Sequence, residues 1–193
     1  MKTESTSPEF DERILTPSGE ELVCPVYTMP LHEFRFHDYC KSNGLVSYLP
    51  LKKSWKHNNY ISKGKQYNYT RMVYRPMFPS YVFVKFTKES QQKLFASKSV
   101  NQILPVANLA KFLEDVRTVR SVELAGLEQE LEFNIGIAEG DRFVIESGAW
   151  AGVAGWLMKK ECFYLWTVEI EFFNQFVRAQ IDPSKYKMRK AEI

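Results

Sequence analysis

The sequence predicts an α+β chain in two parts: an antiparallel sheet flanked by helices, then a small all-β unit. Three observations carry that prediction. Tyr81 to Phe86 is a strongly hydrophobic run that sorts by parity, with Val82, Val84 and Phe86 on one side and Tyr81, Phe83 and Lys85 on the other. Helical periodicity alternates with strand-like runs as far as residue 122. From Gly140 onward only short strands separated by tight turns remain.

Residues 1–21 are rich in Ser, Thr, Pro and Glu without periodicity and are expected to form a disordered tail. Val23 to Met29 reads as a first strand, in which Pro25 removes one ladder donor. Leu31 to Asn43 reads as a helix with Leu31, Phe34, Tyr39 and Cys40 near one stripe, stopped by Asn43-Gly44. Leu45 to Leu51 is a second strand. Lys52 to Arg75 predicts a long hairpin with a turn at Ser62-Lys63-Gly64-Lys65. Pro76 and Pro79 bar a helix at the start of the next run and confine pairing there to an edge or a strand's beginning. Thr87 is expected to cap a short helix through Lys98. Val100 to Val106 is another strand, and Asn108 caps a helix whose Leu109, Phe112, Leu113, Val116 and Val119 recur at helical spacing.

These elements make one α/β sandwich domain over residues 22–122, followed by an acidic linker at 123–139. In 140–193 the expected strands are Arg142–Glu146, Gly155–Lys160, Phe163–Ile170, Gln175–Ile181 and Tyr186–Arg189. Five strands in so short a segment indicate a five-stranded SH3-like β-barrel. Gly140, Gly148, Gly152 and Gly155 fall where it needs positive φ or close backbone approach.

Charge is unevenly spread. The net +3 divides into −4 over residues 1–21, +10 over 22–106, −4 over 107–139 and +1 over 140–193. The stretch 52–75 holds Lys52, Lys53, Lys56, Lys63, Lys65, Arg71 and Arg75 without an acidic residue, interleaved with Trp55, Tyr60, Tyr67, Tyr69 and Tyr74. Cations of this kind neutralise phosphates and exposed aromatics stack on unpaired bases, which points to nucleic acid. A solvated loop with tyrosines packed on their own strands is the alternative. The face holding Tyr81 and Phe83 is either second-face core or a docking patch for another protein.

Other classes find little support. No apolar run is long enough for a membrane helix, and acidic Glu4, Glu9, Asp11 and Glu12 stand where a signal peptide needs basic and apolar residues. A cytoplasmic protein is expected. Cys24, Cys40 and Cys162 lack metal or disulfide spacing and suit reduced thiols. His32-Glu33 through His37 is one residue too long for HExxH, since positions five apart lie about 140° around a helix. No GxSxG, P-loop or GxGxxG occurs, so catalysis, a metal site and a cofactor are not expected.

Four stretches together resemble the NusG family of transcription factors. FPSYVFVKF at 78–86 is similar to that family's signature strand. VYTMPLHE at 26–33 and VSYLPLKKSW at 46–55 resemble its first strand, helix start and second strand. GDRFVIESGAWAGVAG at 140–155 is similar to the KOW motif, with Gly140, Phe143, Ile145, Gly148, Trp150, Gly152 and Gly155 in register.

The resemblance implies an N-terminal domain of the NGN type, a KOW barrel and no enzymatic activity. It implies docking on the clamp helices of the largest subunit of bacterial RNA polymerase, through Tyr27, Phe78, Pro79, Tyr81 and Phe83. On that reading the Tyr81 and Phe83 face is a docking surface rather than core. Arg35 and Lys98 match positions where specialised relatives touch the non-template DNA strand, and nascent RNA is a further candidate. The barrel's implied partner is termination factor Rho or a ribosomal small-subunit protein.

The chain departs from the family pattern at Val23, where a tryptophan is usual, and at Met29 and Leu31, where basic residues are common. Together with the acidic N-terminal segment and the aromatic barrel, this leans toward a specialised antiterminator similar to RfaH or UpxY, acting as a monomer. A KOW protein that binds RNA or the ribosome without polymerase contact is the competing expectation.

Overall fold

The computed structural model describes residues 8–62, 65–129, 131–134, 140–160, 163–173 and 175–191. The chain divides into two compact units, Met1–Val106 and Ala107–Ile193.

In the first unit, β1 (Leu22–Thr28) is followed by α1 (Glu33–Ser42), β2 (Val46–Tyr48), β3 (Leu51–Ser62), β4 (Lys65–Pro76), β5 (Tyr81–Phe86), α2 (Gln91–Ala96) and β6 (Val100–Ile103). The parity of the hydrophobic run explains the core. Val82, Val84 and Phe86 of β5 meet Cys24 and Val26 of β1, while Phe36 and Cys40 of α1, Leu49, Leu51 and Leu94 of α2 close over them. The sheet is antiparallel in the order β2-β5-β1-β6. Helix α1 stops where Asn43-Gly44 predicts. Gly44 takes a φ of 70°, and Leu45 N–H donates back to the Cys40 carbonyl at 2.9 Å.

Two local expectations shift. The short helix begins at Gln91 with Ser90 rather than Thr87 at its N-cap, and Thr87 and Ser90 bond each other's backbone and hydroxyl groups across the turn. The segment 8–21 is ordered rather than a tail. Glu12–Leu15 forms a 3-10 turn capped by Asp11, whose carboxylate accepts from Arg13 N–H, and Ile14 in that turn is fully buried.

The second unit begins with α3 (Leu109–Glu128), capped by Asn108, whose side-chain oxygen accepts from Lys111 N–H at 3.1 Å. The remaining strands are β7 (Glu132–Asn134), β8 (Asp141–Ile145), β9 (Ala154–Lys159), β10 (Tyr164–Ile170), β11 (Gln175–Ile181) and β12 (Met188–Lys190). They form one six-stranded antiparallel sheet, β12-β8-β9-β10-β11-β7.

Helix α3 groups with residues 107–193 rather than with 22–106. It packs Phe112 against Phe172 at 5.1 Å between ring centres, and Asp115 accepts from Phe172 N–H at 3.1 Å. The expected linker at 123–139 starts inside α3, because Glu123 is buried and ion-paired with Arg120 one turn back. Residues 132–134 add a sixth strand on β11, and 135–139 lie outside the described residues.

No helix among the described residues is long and apolar enough to cross a membrane.

Candidate functional site

Two surfaces of the first unit gather the residues singled out above. The first is the ribbon β3–β4. Its strands pair at twelve successive positions, from Leu51↔Pro76 to Ser62↔Lys65. At about 3.3 Å per residue the ribbon is roughly 40 Å long. Directly paired residues share a face, so the register sorts the side chains. Lys52 with Arg75, Lys56 with Arg71, and Lys65 at the tip stand on one face, with Tyr60, Tyr67 and Tyr69 between the Lys56–Arg71 rung and Lys65. Tyr60 stacks on Tyr67 at 5.2 Å and 14° between planes, and meets the edge of Tyr69 at 6.1 Å.

Lys53 falls on the opposite face with Trp55 and Met72, and Trp55 is 64% exposed. Thus five of the seven expected hairpin cations converge, Lys53 is turned away, and Lys63 lies outside the described residues. Burial first, and then the adjacent Arg75 charge, hold the Lys52 ammonium below the usual lysine range. Like charges set directly opposite each other destabilise a strand pair, and the Lys56–Arg71 rung is such a pair. Arg35 on α1 and Lys98 after α2 are exposed but are not ribbon residues, and Lys98 takes a positive φ of 55°.

The second surface is the sheet face opposite the valine core. Register places Tyr27 beside Tyr81, and Pro25 and Tyr48 on either side of Phe83. The Tyr27 and Tyr81 rings lie 5.3 Å apart and are half-buried, and Pro79 is exposed. Phe83 and Phe78 do not sit outward as expected, being 1% and 2% exposed. Phe83 is flanked by Tyr48 at 5.9 Å, and Phe10 stands edge-on to Tyr48 at 4.8 Å.

The bend that separates ribbon and sheet is fixed from below. Ser80 takes a φ of 65°, and its N–H donates to the buried carboxylate of Glu33 at 2.7 Å, the first residue of α1. Met77 N–H donates to the Pro50 carbonyl at 2.7 Å across the ribbon's root.

Sequence reasoning missed Glu9, Phe10, Ile14 and Glu33. The apolar pair Phe10 and Ile14, spaced by four around the capping Asp11, was the available signal. Of the thiols, Cys24 and Cys40 are free and buried. Burial pushes both above the usual range, Cys40 to about 12. Among the described residues no group of His, Cys, Asp and Glu assembles a metal site.

In the second unit, Ile145 and Trp150 are fully buried, Phe143 is half-buried, and Gly148 and Gly152 take positive φ. Two glycines there are fixed by space. A Cβ on Gly155 would sit 2.5 Å from the Thr167 carbonyl oxygen, and one on Gly140, at φ 114°, equally close to that of Leu157.

No curated protein matches the sequence significantly. A solved chain from the MjSpt4:Spt5 complex, conformation B, is similar at 14% identity over 89% of this chain and 99% of that one. Its TM-score of 0.26 is a likeness too loose to bear on function. The sequence profile of the family described as NusG, transcription termination factor nusG, matches residues 25–125. That match spans β1 to α3, including the ribbon and the aromatic face, and covers just over half of the 193 residues. The chain belongs to the NusG family.

Proposed function

We propose that this transcription elongation factor docks on RNA polymerase through the Tyr27–Tyr81 end of its sheet and holds nucleic acid on the cationic face of its ribbon. The observation that carries the proposal is the register of β3 and β4. It gathers Lys52, Lys56, Lys65, Arg71 and Arg75 on one face and sets a tyrosine cluster among them, between the Lys56–Arg71 rung and Lys65. Cations on a pleated surface neutralise successive phosphates, and exposed ring faces accept unpaired bases. Two neighbouring half-buried tyrosines beside an exposed proline suit a protein partner, since tyrosine gives large contact area with little rotamer entropy to lose.

In this reading the clamp helices of the polymerase largest subunit take the tyrosine pair, and the upstream or non-template DNA takes the ribbon, with Arg35 and Lys98 as further contacts. The result is suppression of pausing or termination at selected operons, as in a cytoplasmic paralogue of the RfaH or UpxY kind. The second unit is a KOW-containing, SH3-like domain that recruits Rho, a ribosomal small-subunit protein or nascent RNA. Its glycine placements and buried Ile145 and Trp150 support that assignment.

The test is polymerase pull-down and in vitro read-through with Tyr27→Ala/Tyr81→Ala. Both rings are half-buried, so their loss leaves the valine core in place. Loss of pull-down and read-through is expected. Retention of both sinks the docking proposal.

A further inference from the structure

We propose that residues 8–21 form a displaceable strap over the sheet's aromatic face, and that the surface beneath it fits an acidic, amphipathic protein segment. The inference rests on the docking reading above and names how that site is regulated.

The strap runs along the outer edge strand β2 and its four fastenings are explicit. Glu9 accepts from Lys41 Nζ of α1 at 2.6 Å. Phe10 lies edge-on to Tyr48. Ile14 is fully buried. Glu21 accepts from Lys85 Nζ at 2.9 Å, where the lysine side chain is only 10% exposed. Tyr48 and Lys85 are neighbours of Phe83 on the same face, so the strap covers that end of the face and Tyr27 and Tyr81 form the other.

The strap's composition is that of a guest. Apart from Phe10, Ile14 and the half-buried Leu15, residues 9–21 are polar, charged, Pro or Gly, and Ile14 is the one side chain among them that is fully buried. A strand of the permanent core buries most of its side chains, as β5 does with Val82, Phe83, Val84 and Phe86. A groove also borders the strap. A cleft of about 350 Å³ lies between Glu9, Phe10, Asp11 and Arg13 and a wall that includes His37, Lys41 and Val46. The Glu9–Lys41 pair is about half exposed, so salt screens it.

What the strap presents defines what replaces it. Two apolar side chains four positions apart meet Tyr48 and its surroundings, and two carboxylates meet Lys41 and Lys85. The residues 1–21 carry a net −4 against +10 for 22–106, so the strap is electrostatically matched to the unit it covers. A partner segment with the same pairing of apolar and acidic groups competes for the same ground. Displacement then exposes Tyr48 and Phe83 beside the tyrosine pair.

The experiment uses the full chain in two variants. Phe10→Ser/Ile14→Ser removes the apolar anchors, and Glu9→Lys/Glu21→Lys removes both ion pairs while leaving the buried side chains intact. Polymerase affinity is measured for each, with thermal melts as the folding control. Separately, a fluorescent peptide of residues 8–21 is titrated into the Phe10→Ser/Ile14→Ser chain, and into the same chain carrying Lys85→Glu. Severalfold tighter polymerase binding by both variants, with saturable peptide binding lost on Lys85→Glu, is the expected result. Wild-type binding that the charge reversal leaves unchanged or weakens, with an unaltered melt, overturns the strap while leaving the docking reading standing. If no form binds polymerase, the docking reading fails. In that case the peptide titration decides the strap alone, saturable Lys85-dependent binding supporting it and its absence rejecting it.

Discussion

Replacing Lys56 and Arg71 together by alanine removes one complete rung of the ribbon's cationic face without touching the valine core. Each phosphate contact contributes about 0.9 to the slope of log affinity against log salt on duplex DNA, and about 0.7 on a single strand. If the five described cations of that face each hold one phosphate, the wild-type slope on duplex is about −4.5 and that of the double variant about −2.7. Between about 50 and about 200 mM salt the wild type then loses roughly 500-fold in affinity and the variant roughly 40-fold. Fluorescence anisotropy with a labelled duplex and a labelled single strand reads both slopes. Lys53→Ala is the internal control, because its side chain leaves the ribbon on the other face. Equal slopes for wild type and double variant, or a Lys53→Ala effect as large as the double variant's, refute the assignment of phosphates to that face.

The remaining predictions concern how the surfaces are held. Phe83→Ala is expected to cost about 3–5 kcal/mol in urea unfolding, since its ring is buried. A change under about 1 kcal/mol would mean that the ring is solvent-facing in solution. Gly155→Ala puts a Cβ against backbone oxygen and the Trp166 ring and is expected to lose about 1–3 kcal/mol or to misfold, whereas Gly152→Ala meets open space and carries only the backbone strain, about 1–2 kcal/mol. Equal melting temperatures for the Gly155 variant and wild type would contradict that crowding.

With its pKa near 12, Cys40 is expected to resist iodoacetamide at about pH 8 until the fold opens, as read by peptide mass mapping. Labelling at the rate of a free thiol would count against its burial. Burial, with Lys41 second, lowers the His37 pKa against the opposing pull of Asp38 and Glu9. The unfolded imidazole accepts a proton below about pH 6.5 while the folded one resists, so this contribution is complete above about 6.5 and disappears as pH falls through the folded value. His37→Gln should therefore flatten the decline of stability between about pH 7 and 5, and an unchanged decline would assign it to other groups.

Much of the first unit is legible in the residues, for identifiable reasons. The ribbon is marked by the turn signal Ser62-Lys63-Gly64-Lys65 inside a stretch with no acidic side chain, and β5 by the plain alternation of Val82, Val84 and Phe86. Asn108 marks the start of α3 because a side-chain oxygen there satisfies the Lys111 N–H. Its end was obscured by Glu123, which looks like linker composition until its partnership with Arg120 is seen. The N-terminal segment is hard to read because its apolar anchors among the described residues, Phe10 and Ile14, are too few to alter a composition dominated by Ser, Pro and Glu. Tyr81 and Phe83 share one parity, so no periodicity tells them apart. What separates them is the company each keeps across the sheet, Tyr27 beside one and Tyr48 and Pro25 beside the other.

The Glu33 carboxylate that clasps Ser80, with the Pro50–Met77 bond behind it, has a geometric corollary. It makes the first unit a ruler: the tyrosine pair is the zero mark and the rungs of the ribbon are its graduations. Inserting two residues into each of β3 and β4 preserves which side every cation faces and slides the outer graduations by about 7 Å. A partner and a nucleic acid gripped at once would then be held at a new spacing, with neither contact surface altered.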